Sequence, residues 1–263
     1  MPTRDQLTRA YQNAVERLRA DTVRATQDLW RALPDYRDAD IARFRRTVIP
    51  VVRSASQRVA QLTAAYQMRS LEELGDRVPM ALVPASEIAE PRGVDAQTVY
   101  QRPAVTVYTE LSQGAPLALA VAAGARRLQS LVETDLQLVK VAQSRQSIAA
   151  SSFEFYRRVL TGNENCALCV IASTQRYHKR ALMPIHPGCD CSVEVLAVDQ
   201  DPGQVIDPAL LEGTHGKVAE LTGVADRGGR APDYRELIVT SEHGEIGPYL
   251  RWRADAFTGP ADI

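Results

Sequence analysis

No run in these 263 residues approaches the ~20 consecutive apolar residues of a membrane-spanning helix. The most apolar stretch, Ala115 to Ala123, is far shorter. The opening residues Met1-Pro2-Thr3-Arg4-Asp5 lead into a polar helical pattern, without the apolar core of a signal peptide. The expectation is a chain made in the cytoplasm with no membrane partner. Net charge is missing too: Lys+Arg 31 against Asp+Glu 32 leaves -1. That balance argues against a dedicated nucleic-acid binder, which is usually clearly basic. Lysine is scarce, at Lys140, Lys179 and Lys217, and the remaining cations are arginine. Codon bias in a GC-rich genome explains this simply; arginine also suits bidentate contacts with carboxylates and phosphates. Internal repeats and low-complexity stretches are absent. So are the Gly-x-Ser-x-Gly nucleophile elbow and the His-Glu-x-x-His zinc-protease signature.

What is present is a hydrophobic fraction of 45%, within the globular range, and helical periodicity through the first half. Leu7, Tyr11, Ala14, Leu18, Ala25, Leu29 and Leu33 recur at helical spacings, and Pro34 stops that helix. Ile41, Phe44, Val48, Val51, Ala55, Val59, Leu62 and Tyr66 define a second helix, which Pro50 is expected to kink or split. Residues 76 to 103 hold Pro79, Pro84, Pro91, Gly93 and Pro103, and read as a loop or hinge. Helix resumes at Val105 to Leu111 and again from Pro116, with Val121, Ala125, Leu128, Val132, Val139 and Ala142 in period. Phe153 to Leu160 reads as a last short helix. Ser192 to Val198 is rich in β-branched residues and reads as a strand. Arg235 to Thr240 and Pro248 to Arg253 are positioned to form a hairpin across His243-Gly244-Glu245. The expected architecture is a mainly α region, residues 1–150, followed by a small α+β part, residues 151–263, containing a Cys/His knuckle.

Cysteine is confined to that second part. Cys166-Ala-Leu-Cys169 is followed, after a loop, by Cys189-Asp-Cys191. Two cysteine pairs joined by a loop supply the four soft ligands that zinc favours. Cys-x-Cys can chelate, but its geometry is tighter than that of the usual two-residue spacing, so His186 is an alternative to Cys191, with His178 a weaker candidate. The candidate metal set is therefore Cys166, Cys169, Cys189, Cys191 and His186. Four protein ligands leave no open position, so the ion would be structural zinc, folding a loop poor in large apolar residues. Two other readings stay open: reduced or disulfide-linked cysteines without metal, and a Cys-His nucleophilic pair.

Tyr156-Arg157-Arg158-Val159-Leu160, the Cys166-x-x-Cys169 pair, Tyr177, and His186-Pro187-Gly188-Cys189-Asp190-Cys191 running into a strand resemble the signature block of phage Mu F-like head morphogenesis proteins. Asp190 departs from the family pattern, where arginine is frequent. The blocks Glu242-His243-Gly244-Glu245-Ile246-Gly247-Pro248 and Phe257-Thr258-Gly259-Pro260 are similar to the C-terminal segment of such proteins from actinobacterial siphophages. The resemblance covers roughly residues 153 to 198 and 242 to 260. It implies a minor capsid protein that associates with the portal protein during head assembly, beside major capsid and scaffold proteins, and ends up in the virion. The same resemblance also implies an alternative, a capsid maturation protease.

A protease needs a nucleophile and a base. Ser151, Ser152, Ser173, Ser192 and Ser241, with His178, His186, His215 or His243, are the candidates, and none has a recognisable nucleophile context. Packaged DNA is a further, weaker partner: Arg43, Arg45, Arg46 and Arg53 form a local basic patch beside Asp38 and Asp40, and contact there would be strongly salt-dependent.

Overall fold

The structure is a computed structural model. It describes residues 3–161, 165, 167–181, 191–222, 238–243 and 247–252. The chain divides into two compact units, residues 1–150 and 151–263.

The first unit is helical. Helix α1 (Arg4–Arg31) opens with a capping box: Thr3 Oγ1 accepts from the Gln6 amide and Gln6 Oε1 accepts from the Thr3 amide. Its buried residues are Thr8, Tyr11, Gln12, Thr22, Thr26 and Trp30, so the buried stripe lies beside the apolar series read from spacing, and Ala25 is exposed. Threonine is admitted there because its hydroxyl finds a partner. Thr22 donates to the Leu18 carbonyl at 2.6 Å and Thr26 to that of Val23 at 2.9 Å. Helix α2 (Asp38–Glu72) runs unbroken through Pro50, against the expectation of a split. Ile41, Phe44, Val48, Val52, Ala55 and Val59 are buried along it, and burial on this scale outweighs the hydrogen bond that proline forgoes.

The proline-rich stretch after α2, expected as a loop or a hinge, is loop interrupted by short helices. It contains α3 (Ala85–Ala89) and α4 (Ala96–Val99), and Val83, Ala96, Val99 and Tyr100 join the main core. Gln143 holds the preceding segment in place: its Oε1 accepts from the Val83 amide at 3.0 Å and its amide group donates to Ala81 O at 2.9 Å. Helices α5 (Arg102–Ser112) and α6 (Leu117–Ala149) form an antiparallel pair, and α6 also packs on α1 and α2. The core of this unit is built around Trp30, Phe44, Val107, Leu128 and Val132. No helix among the described residues is long and apolar enough to cross a membrane.

The second unit holds a three-stranded antiparallel sheet, β1 (Phe155–Val159), β2 (Arg176–His178) and β3 (Ser192–Val195), in the order β2-β1-β3. Strand β1 corrects the expected helix over Phe153 to Leu160. Its side chains alternate, with Tyr156 and Arg158 buried and Arg157 exposed, which is the period of a strand. Both edges of β1 are paired, and this tertiary pairing overrides the helical reading of so short a segment. Helix α7 (Ala167–Ser173) connects β1 to β2 and packs against β1, and α8 (Pro208–Thr222) packs on α7. Strands β4 (Ile238–His243) and β5 (Gly247–Trp252) form the expected antiparallel hairpin.

Candidate functional site

The candidate site is the face of the β1–β3 sheet that α7 covers. Tyr156 lies opposite Tyr177 on β2 and Val195 on β3, while Arg158 lies opposite Val193. Cys191, Val193 and Val195 alternate with Ser192 and Glu194, so Cys191 extends the row that carries Tyr156 and Arg158. From α7, Cys169 and Ala172, three residues apart and hence on one helical face, join Cys191 in a small apolar cluster. Leu160 and Tyr177 pack against it. Both cysteines are buried.

Arg158 is set among them, only 1% exposed. Its Nη1 donates to Cys191 Sγ at 3.3 Å, and its guanidinium carbon lies 5.4 Å from the centre of the Tyr177 ring. The Tyr177 ring stacks on Tyr156, centres 5.3 Å apart, and its hydroxyl donates to the Ala172 carbonyl at 2.9 Å, fastening β2 to α7. Burial pushes the Tyr177 phenol up to about 12; the two cysteine sulfurs push the same way and the Arg158 guanidinium pulls back. One tyrosine thus reports both sulfurs and the arginine in a single electrostatic neighbourhood.

The opposite face of the sheet is polar. Arg157 Nε donates to Glu194 Oε1 at 2.6 Å, and Arg176 forms a two-pronged pair with Asp201 while lying over the Phe155 ring at 4.7 Å. At the end of β2, Glu154 meets Lys179 Nζ at 2.9 Å and His178 Nε2 at 3.0 Å. The Lys179 hydrogen bond, followed by the charges of Lys179 and His178, holds the Glu154 carboxyl below the usual range.

Of the five expected metal ligands, the structure brings Cys169 and Cys191 together. Cys166, His186 and Cys189 lie outside the described residues, as do the other residues from 182 to 190. Among the described residues no group of three or more histidine, cysteine or carboxylate side chains forms a metal site. The two described sulfurs are buried in one cluster, and Cys191 Sγ accepts an N–H bond from Arg158. His178 is turned to Glu154, and its Nδ1 accepts from the Arg180 amide at 3.2 Å.

Among the described residues the protease candidates fall on several different elements. Ser151 and Ser192 are buried, and Ser173 Oγ donates to the Val170 carbonyl. Ser241 and His243 occupy alternate positions of β4, with Glu242 between them. His215 sits on α8. In the basic patch of α2, Arg43 pairs with Asp40, Arg45 donates to Gln97 O and Gln101 Oε1, and Arg53 lies 3.8 Å from Glu90.

Sequence reasoning missed two features. Arg158 stands in the string that carries the resemblance, but in a segment expected to be a helix, so its burial on the same strand face as Tyr156 was not foreseen. In the helical unit, Asp135 on α6 accepts from Arg92 Nε at 2.5 Å and from Tyr100 OH at 2.7 Å. The aspartate and arginine side chains are each 5% exposed. No helical period predicts an ion pair at that depth.

No protein-family profile, curated protein or solved structure matches the chain.

Proposed function

We propose that this chain is a minor capsid protein of the phage Mu F-like type, which associates with the portal protein during head assembly. The observation that supports the reading is convergence. Tyr156, Arg158, Cys169, Tyr177 and Cys191, among the residues on which the resemblance rests, pack together on one sheet face although they span much of the second unit's first half. Surface residues kept for unrelated reasons have no cause to meet in one core. In this reading the cluster shapes the second unit, and zinc held by Cys166, Cys169 and Cys189 with Cys191 or His186 is its structural ion. The helical unit supplies docking surface. The end of the α5–α6 pair is apolar where it meets solvent, with Leu117 58% and Leu119 63% exposed beside exposed Leu111.

The test is co-expression of portal, scaffold and major capsid proteins with and without this chain, followed by intact-mass measurement of every component. Incorporation of the chain at the portal with all masses unchanged is the expected result. A defined truncation of scaffold or major capsid protein that depends on this chain would make it the maturation protease. Failure to enter assemblies at all would refute both roles.

A further inference from the structure

Helix α5 is apolar on two sides. Pro103, Ala104 and Val107 are buried, and α5 packs along α6. On its other side Val105, Tyr108 and Leu111 are 51%, 45% and 37% exposed. Residues three apart are neighbours on a helix surface, so these side chains follow one another along α5. The Tyr108 hydroxyl donates to the Tyr36 carbonyl at 2.6 Å, which leaves the exposed ring as apolar surface. The hydroxyls of Thr106, Thr109 and Ser112 donate to carbonyls of their own helix, so covering them strands no donor. Gly114, at φ 87°, then turns the chain, with the Gly114 amide donating to Leu111 O and the Ala115 amide to Glu110 O, both at 3.0 Å. Helix α6 starts from that turn, and its first residues add exposed Leu117 and Leu119.

We propose that this side of α5 and the α5–α6 turn is where a second copy of the chain docks, like face on like face about a two-fold axis. The inference goes beyond the capsid reading and stands without it. Between Arg102 and Arg126 the sequence carries one charged residue, Glu110, in a chain that is 24% charged. A partner recognised through charge therefore finds little to pair with here, and scarcity of charge is what marks the centre of a protein–protein interface. Area decides between occupants. At their exposures the five apolar side chains leave roughly 500 Å² open, so two copies meeting on them would bury ~1,000 Å², the least expected of a specific interface. An unrelated partner would have to bring an uncharged face of the same extent. A second copy brings one by construction, and a closed two-fold pair leaves none of it open to further copies. The pair, not the single chain, would then be the unit that meets the portal.

The experiment is sedimentation of the purified full chain over a range of concentrations. The expected result is a reversible dimer at twice the chain mass of 28.9 kDa. Val105→Glu and Leu119→Glu each set a carboxylate into the face, once per copy. Both positions are exposed in the single chain, so the variants should keep the wild-type circular dichroism while association weakens by about tenfold or more. A photoreactive benzophenone side chain in place of Ser112 checks the surface without disturbing the apolar residues; it should crosslink the wild-type pair through the other copy's α5. A wild type that sediments as one chain at every concentration overturns the inference. So does a dimer that survives both substitutions, or one that crosslinks only through other elements. If the chain is monomeric and Val105→Glu instead abolishes its incorporation at the portal, the face belongs to the portal contact and not to a second copy.

Discussion

Gly124 sits where α6 passes closest to its neighbours. A Cβ added there would meet Trp30 Cζ2 and Val107 Cγ2 at 2.7 Å each and the Pro103 carbonyl oxygen at 2.9 Å. The last of these is backbone and cannot swing aside. Alanine in an open helix interior would be favoured over glycine by ~1 kcal/mol, but overpacking of a closed core costs about 1–3 kcal/mol. Gly124→Ala should therefore destabilise the helical unit and lower its melting temperature; a rise would mean that α1, α5 and α6 are not in such close contact. Glycine here has no local signature, because the demand comes from two other elements, α1 and α5. The same holds for the threonines of α1. The hydroxyls of Thr22 and Thr26 donate to carbonyls within the helix and that of Thr8 meets the Tyr66 hydroxyl, so all three are buried as if apolar, and a search for leucine and valine periodicity passes over them. The cysteines were legible because pairing at short spacing is a chemical signal within the sequence. Arg158, whose partner lies on another strand, was not.

Among the elements, the long helices were legible because burial repeats for many turns, whereas β1 was not, because five residues fit either period. The linker between α2 and α5 shows the same limit in another form. Its prolines do mark the end of α2, but its packing is fixed by tertiary partners, chiefly the Asp135 site that ties the linker and α4 to α6. Burial is the largest influence on the Asp135 carboxyl and raises it above the usual range, against the pull of Arg92 and Tyr100. The folded state therefore binds this proton more tightly than the unfolded chain does. Its contribution to stability is greatest below the unfolded carboxyl value, ~4, and falls as pH rises through the higher folded value. Denaturation of wild type and Asp135→Asn across this window should show the wild type losing stability relative to the variant as pH rises. A constant difference would refute the assignment. Tyr100→Phe removes a buried donor and leaves Asp135 Oδ2 without it, at a cost of about 1–3 kcal/mol in chemical denaturation. No loss would show that the tether carries no weight.

At the scale of the molecule, the two units differ in how they are held. The helical unit has a core of large apolar side chains spread over several helices, whereas the cluster joining α7 to the sheet contains Cys169, Ala172 and Cys191 with Leu160 and Tyr177 at its margin. Among the described residues that cluster has few members, so each carries weight, as would any ion its sulfurs hold. Replacing Cys169 by serine exchanges a buried sulfur for a hydroxyl in an apolar setting, and removes a metal ligand if zinc is present. The expected outcome is selective: fragments from the second unit should appear early in limited proteolysis, while the far-ultraviolet helical signal, carried mainly by α1, α2, α5 and α6, should largely persist. Treating the wild type with a strong chelator separates the two causes. Zinc as the staple predicts that chelation reproduces the Cys169→Ser digestion pattern; side-chain packing alone predicts that chelation changes nothing while the substitution still does. Unchanged digestion under both treatments would mean that the second unit holds its shape without this cluster. The convergence of signature residues would then need an explanation other than stability.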